Sequence, residues 1–83
     1  MNLADVAEFA KTMVEGKTYR LTHKSDIQRK TYESRMRFIG LDGPNLVMNA
    51  RPVARIHLFP MAWISGIELA DDNASIYINR IIE

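Results

Sequence analysis

The sequence predicts a mainly β domain with one N-terminal helix, its strands antiparallel and folded into a barrel or sandwich. Three observations predict it. Apolar residues keep helical spacing only as far as Gly16; beyond it they alternate with polar ones; and turn-forming clusters of Gly, Pro, Asp and Asn recur at short intervals. Helical spacing buries one stripe, alternation buries one face of a strand, and evenly spaced short strands mark an all-β architecture.

Asn2 is placed to cap a helix, with Asp5 three residues on near its positive end. Leu3, Val6, Ala7, Ala10, Met13 and Val14 then form the stripe, and Gly16 stops it. Tyr19, Leu21 and His23 alternate with Arg20, Thr22 and Lys24 as a first strand, and Ser25–Arg29 is a polar connection. A long second strand runs from about Lys30 to Leu41, placing Tyr32, Met36 and Phe38 on one face and Arg35 and Arg37 on the other. Gly40, Asp42, Gly43 and Pro44 break it, and Leu46 and Met48 restart the alternation in a third strand, Asn45–Ala50. Arg51-Pro52 interrupts the ladder, because proline has no N–H to donate. A fourth strand over Ala54–Phe59, a tight turn at Pro60–Trp63, a fifth strand over Ile64–Leu69 and a sixth over Ile76–Ile82 complete the chain.

At 83 residues this is a single domain, 1–83: a helical segment 1–16, barrel strands 17–69 and a C-terminal extension 70–83 carrying an extra strand. Without cysteine there is neither a disulfide framework nor a thiolate metal site, so a reducing, cytoplasmic setting is expected. With no long apolar run and no basic-then-apolar leader, neither a membrane span nor export is expected. A small domain lacking these staples commonly gains stability by oligomerising. The charge is uneven. Lys11 alone faces Asp5, Glu8 and Glu15; residues 17–55 set nine cations against three carboxylates; and after residue 55 Arg80 faces Glu68, Asp71, Asp72 and Glu83. A basic middle is an electrostatic footprint for nucleic acid, or equally the wet face of a sheet.

The segment Met36–Asn49, M-R-F-I-G-L-D-G-P-N-L-V-M-N, resembles the first motif of Sm/Lsm proteins. Gly40, Leu41 and Asp42 stand for its Gly-apolar-Asp, Phe38 for the apolar residue before them, and Asn45 for its Asn after a loop one residue shorter. Met36 replaces the glycine at which the family's second strand usually bends. The second motif would fall on Leu58–Ile67, where Ile64-Ser65 is similar to the bacterial Hfq branch. Pro60-Met61 there replaces the Arg-Gly of the Lsm branch, and Met61-Ala62 the Lys-His of Hfq. The resemblance covers about residues 2–69. It implies an Sm-like, SH3-like small barrel of strongly bent antiparallel strands that assembles into a homo-oligomeric ring, fourth strand to fifth. It also implies binding of single-stranded RNA, with single-stranded DNA as the second candidate, and a role in RNA or DNA processing. In that frame Asn45 meets a base edge, Asp42 buttresses the loop, Pro44 offers an apolar face, Arg35 and Arg37 attract phosphates, and Met61 lines a pore or groove.

Ordinary turn chemistry accounts for Asp42 without any ligand, and leaves Asn45 open. His23 and His57 lie far apart, without Cys or carboxylate partners at ligand spacing, and read as strand residues with satisfied rings; Trp63 reads as core. Gly40-Leu41-Asp42-Gly43 matches G-x-x-G, but between strands, where a KH loop would lie between helices. No catalytic motif, metal set or cofactor loop is present, so an enzyme is not expected. The alternative is a structural or protein-binding adaptor barrel that binds no nucleic acid, such as a small phage or assembly component.

Overall fold

The computed structural model describes residues 1–24, 30–50 and 55–82. The expected Ser25–Arg29 connection, the Arg51-Pro52 break and the start of the fourth strand at Ala54 lie outside the described residues.

The chain opens with α1 (Leu3–Ala10), where Asn2 and Asp5 form a reciprocal capping box. The Asn2 side chain accepts from the Asp5 N–H at 2.9 Å, and the Asp5 carboxylate from the Asn2 N–H at 3.3 Å. The helix is shorter than the apolar spacing predicts. Beyond Ala10 the N–H groups turn to other acceptors: Thr12 to the Phe9 carbonyl, and Val14 to the Tyr19 hydroxyl at 2.8 Å. Met13 still reaches the core, whereas Val14, part of the expected stripe, is exposed. Gly16 then turns the chain at φ +90°, a conformation that suits glycine.

The strands follow as β1 (Thr18–Lys24), β2 (Thr31–Asp42), β3 (Asn45–Ala50), β4 (Arg55–Pro60), a 3-10 turn at Met61–Trp63, β5 (Ile64–Leu69) and β6 (Tyr77–Ile81). All pairings between them are antiparallel, in the order β4-β3-β2-β1-β5, with β6 off this path against β2. The long β2 changes partners along its length. Tyr32–Arg35 lies beside β6, and Arg37–Asp42 beside β3, while β1 follows the other edge from Thr31 to Arg37. A bulge at Ile39, between the Phe38–Met48 and Gly40–Val47 pairs, supplies an extra residue at the point where a bulged strand bends. Met36 is fully buried.

Period-2 alternation delivers the core. Tyr19 and Leu21, Met36 and Phe38, and Leu46, Met48 and Ala50 point to one side of the sheet, where Val6 and Ala10 of α1, Phe59, Ile64 and Ile67 close over them. Tyr19 meets Phe9 and Phe38 edge-on, with ring centroids 6.3 and 6.1 Å apart. The radius of gyration, 11.6 Å, is that of a compact domain of this length. The path ends at β4 and β5, and among the described residues neither pairs with the other, so the sheet is open at both edges. The β6 strand leaves those edges uncovered, because it docks on β2.

Candidate functional site

The β2–β3 hairpin is built by its turn residues. Asp42 pairs with Asn45 across Gly43 and Pro44, and Gly43 sits at φ +56°. Proline cannot take positive φ, so a two-residue turn with glycine first and proline second belongs to the type II′ class. Asn45 is also opposite Pro60 on β4, and the Met61 N–H donates to the Pro44 carbonyl at 2.9 Å. Four of the residues singled out from sequence, Asp42, Pro44, Asn45 and Met61, therefore meet at one end of the sheet, although Met61 is far from the others in sequence. Asp42 is exposed and Asn45 half-buried.

Arg35 and Arg37 are not part of that cluster. Both lie on the outer face of β2, away from the core. Arg35 stands opposite Arg20 of β1, a like-charge pair that needs compensation. Arg20 finds it in Glu68 and, at 4.0 Å, in Glu33. The Arg35 guanidinium lies 4.7 Å from the Tyr77 ring centroid and donates to the Ser75 carbonyl, while Arg80 covers the same ring at 4.0 Å. The Tyr77 hydroxyl donates to Glu33; burial, reinforced by that bond and by the Glu33 charge, raises its pKa above the ordinary tyrosine range. Arg35 thus helps to fasten the C-terminal extension to the sheet. Arg37 pairs in register with Asn49 of β3, and Arg37 Nε and Asn49 Oδ1 are both buried with no hydrogen-bond partner among the described residues.

A second polar site, which spacing along the sequence did not reveal, adjoins the same 3-10 turn. A cavity of about 590 Å³ opens between β1, the start of β2, β4, the 3-10 turn and β6, walled by Tyr32, Phe59 and Trp63 with His23, His57 and Asn79 among them. His23 is buried; its Nε2 lies 2.9 Å from Ser34 Oγ, which also accepts the Asn79 N–H at 2.9 Å. The ring's tautomer decides which of His23 Nε2 and Ser34 Oγ donates. Burial lowers the His23 pKa below its ordinary 6.5. The ring stacks on Tyr32 and meets Phe59 edge-on at 4.8 Å. His57 behaves differently from its expected satisfied state: Nε2 is buried and has no hydrogen-bond partner among the described residues, and burial followed by the nearby Arg55 charge lowers its pKa. Trp63, expected in the core, is 41% exposed and forms part of the cavity wall. The reason is its position: it ends a one-turn 3-10 segment in which no residue is buried.

The described residues contain no group of three or more His, Cys, Asp or Glu arranged to hold a metal ion, and no helix long and apolar enough to cross a membrane. No protein-family model matches the chain, and searches of the curated proteins and of the solved structures find no match.

Proposed function

We propose that the chain is an Sm-like module that assembles into a homo-oligomeric ring and binds single-stranded nucleic acid, RNA before DNA. The observation that carries this reading is the strand path. Its unpaired ends are β4 and β5, the two strands through which such a ring would close. The β4 strand presents Ile56 and Leu58, 60% and 53% exposed, and β5 presents Leu69, 64% exposed, an apolar complement to ladder pairing between subunits. In the ring the Asp42–Asn45 turn, tied to Met61, repeats around the axis. One Asn45 amide per subunit offers a donor and an acceptor to a base edge, and avidity sums modest contacts when one strand spans several subunits.

Light scattering tests assembly: a ring gives several times the 9.5 kDa of one chain at micromolar concentration, and a clean monomer rejects it. Titration with oligo-U, oligo-A and oligo-dT over a salt series tests binding. Asn45→Ala is expected to weaken binding with little change in salt slope, whereas Arg37→Ala lowers the slope by about 0.7 if it neutralises one phosphate. Arg35→Ala is expected to move the slope less, because its guanidinium is already held by Tyr77 and Ser75.

A second reading, a protein-binding adaptor, draws on the same exposed Ile56, Leu58 and Leu69. A monomer that fails to bind any oligonucleotide at low salt selects it.

A further inference from the structure

We infer that the cavity beside His23 and His57 is a nucleotide site, taking a planar nitrogen heterocycle between its aromatic walls and the attached phosphate at Lys24. The inference rests on the nucleic-acid reading only for the source of the base, which is either a free mononucleotide or one residue of a bound strand. Five observations carry it.

The volume, about 590 Å³, falls within the roughly 300–1,000 Å³ of small-molecule sites. Trp63, 41% exposed, supplies a flat apolar face of the kind base stacking uses without regard to sequence, and buried Tyr32 and Phe59 complete the wall. Among them, His57 Nε2 is buried with no partner in the described residues, and a buried polar atom without a partner carries a cost that a ligand donor or acceptor removes. Asn79, also lining the cavity, is held at φ +54° by the bulge of β6 against β2, where its N–H is fixed on Ser34. Its amide, with His57, provides the kind of mixed donor and acceptor set that a base edge matches. Exposed Lys24 is the one cation among the described lining residues, and none of those described residues is a carboxylate that would repel a phosphate.

The neutral state of both imidazoles suits this occupant. Burial disfavours their charged forms, so neither ring presents a cation at neutral pH; Ser34 engages His23 Nε2, and His57 keeps Nε2 for a ligand. An anionic aliphatic ligand could use Lys24 but would leave the aromatic wall unused.

Trp63 is the only tryptophan of the chain, so its fluorescence reports the cavity directly. The full-length protein is titrated with AMP, UMP and adenosine, and with oligo-A and oligo-U, while NMR follows the ring protons of His23 and His57. Saturable quenching together with shifts at both imidazoles is expected. His57→Leu is expected to weaken binding about tenfold, the scale of one buried hydrogen bond. Lys24→Ala should bring AMP down to the affinity of adenosine. The unmodified protein's histidine signals keep the test decisive if a variant folds poorly. Response to mononucleotides assigns a free-nucleotide site; response to oligonucleotides alone assigns a base within a strand; either supports the inference. Oligonucleotide binding that leaves both histidines unmoved overturns the cavity site and spares the ring reading. Mononucleotide binding without oligonucleotide binding does the reverse. Silence to every probe at millimolar concentration overturns the site outright.

Discussion

The hairpin turn and the cavity carry polar residues in opposite ways. At the hairpin, Asp42, Gly43 and Pro44 are consecutive in the chain, and the cluster is completed by a single backbone bond from Met61. Its side chains reach solvent, and the local backbone dictates their placing. At the cavity, His23, Ser34, His57 and Asn79 come from four different strands; Ser34 links His23 to Asn79, and His57 stacks on Phe59. The first arrangement holds as long as the turn holds. The second depends on the register of β1, β2, β4 and β6 together, so a disturbance to the fold should reach it first.

The largest test of that contrast lies in the core that both adjoin. Leu46 is fully buried one residue after Asn45, and opposite Phe59, which walls the cavity. Leu46→Ala is expected to cost about 2–5 kcal/mol, read from denaturant midpoints. At sub-denaturing urea, amide exchange should rise at β4 and β6 before it rises at the Gly43-Pro44 turn. Uniform loss of protection would erase the distinction between the two.

That distinction also explains what the sequence discloses. The bounds of β3 and β5 agree residue for residue with their alternation, and the capping box and the break at Gly43-Pro44 follow from residues close together in the chain. Two features escape. The helix stripe includes Val14, but a helix end is decided by competing acceptors, here the Tyr19 hydroxyl, which spacing does not encode. The cavity escapes for a stronger reason: β6 could be recognised as a strand, yet nothing local says that it pairs with the first half of β2 and brings Asn79 to Ser34. Likewise Arg35 reads as a free cation until Tyr77 and Ser75 are known to lie over it.

Acid should discriminate between hairpin and cavity next in size. His23 and His57 have pKa values lowered in the folded state, so near and below the ordinary 6.5 the unfolded chain binds more protons than the folded one. Stability is therefore full above about pH 6.5 and falls as the pH drops through and below it. The melting temperature is expected to decline between pH 7.5 and 5.5, with the cavity's histidine and Trp63 signals changing before those of the hairpin. His23→Gln should flatten most of that slope, because His23 is the more buried ring. An unchanged slope in that variant would remove His23 as the acid-sensitive element.

The smallest expected effect isolates backbone from side chain at Asn79. Its φ of +54° lies in the left-handed region, which asparagine and glycine tolerate and alanine does not, at a cost of roughly 1–2 kcal/mol for an ordinary L-residue. The bond that fixes β6 is donated by the Asn79 backbone to Ser34, and survives either substitution. The side-chain contact, Oδ1 to Ser34 Oγ at 3.5 Å, is too long to contribute much. Asn79→Gly should therefore stay within about 1 kcal/mol of the original stability, its looser unfolded chain being the main loss, and Asn79→Ala should fall about 1 kcal/mol below the glycine variant. If the two are equally destabilised, the side chain carries the position after all, and the amide assigned to a ligand is instead committed to the fold.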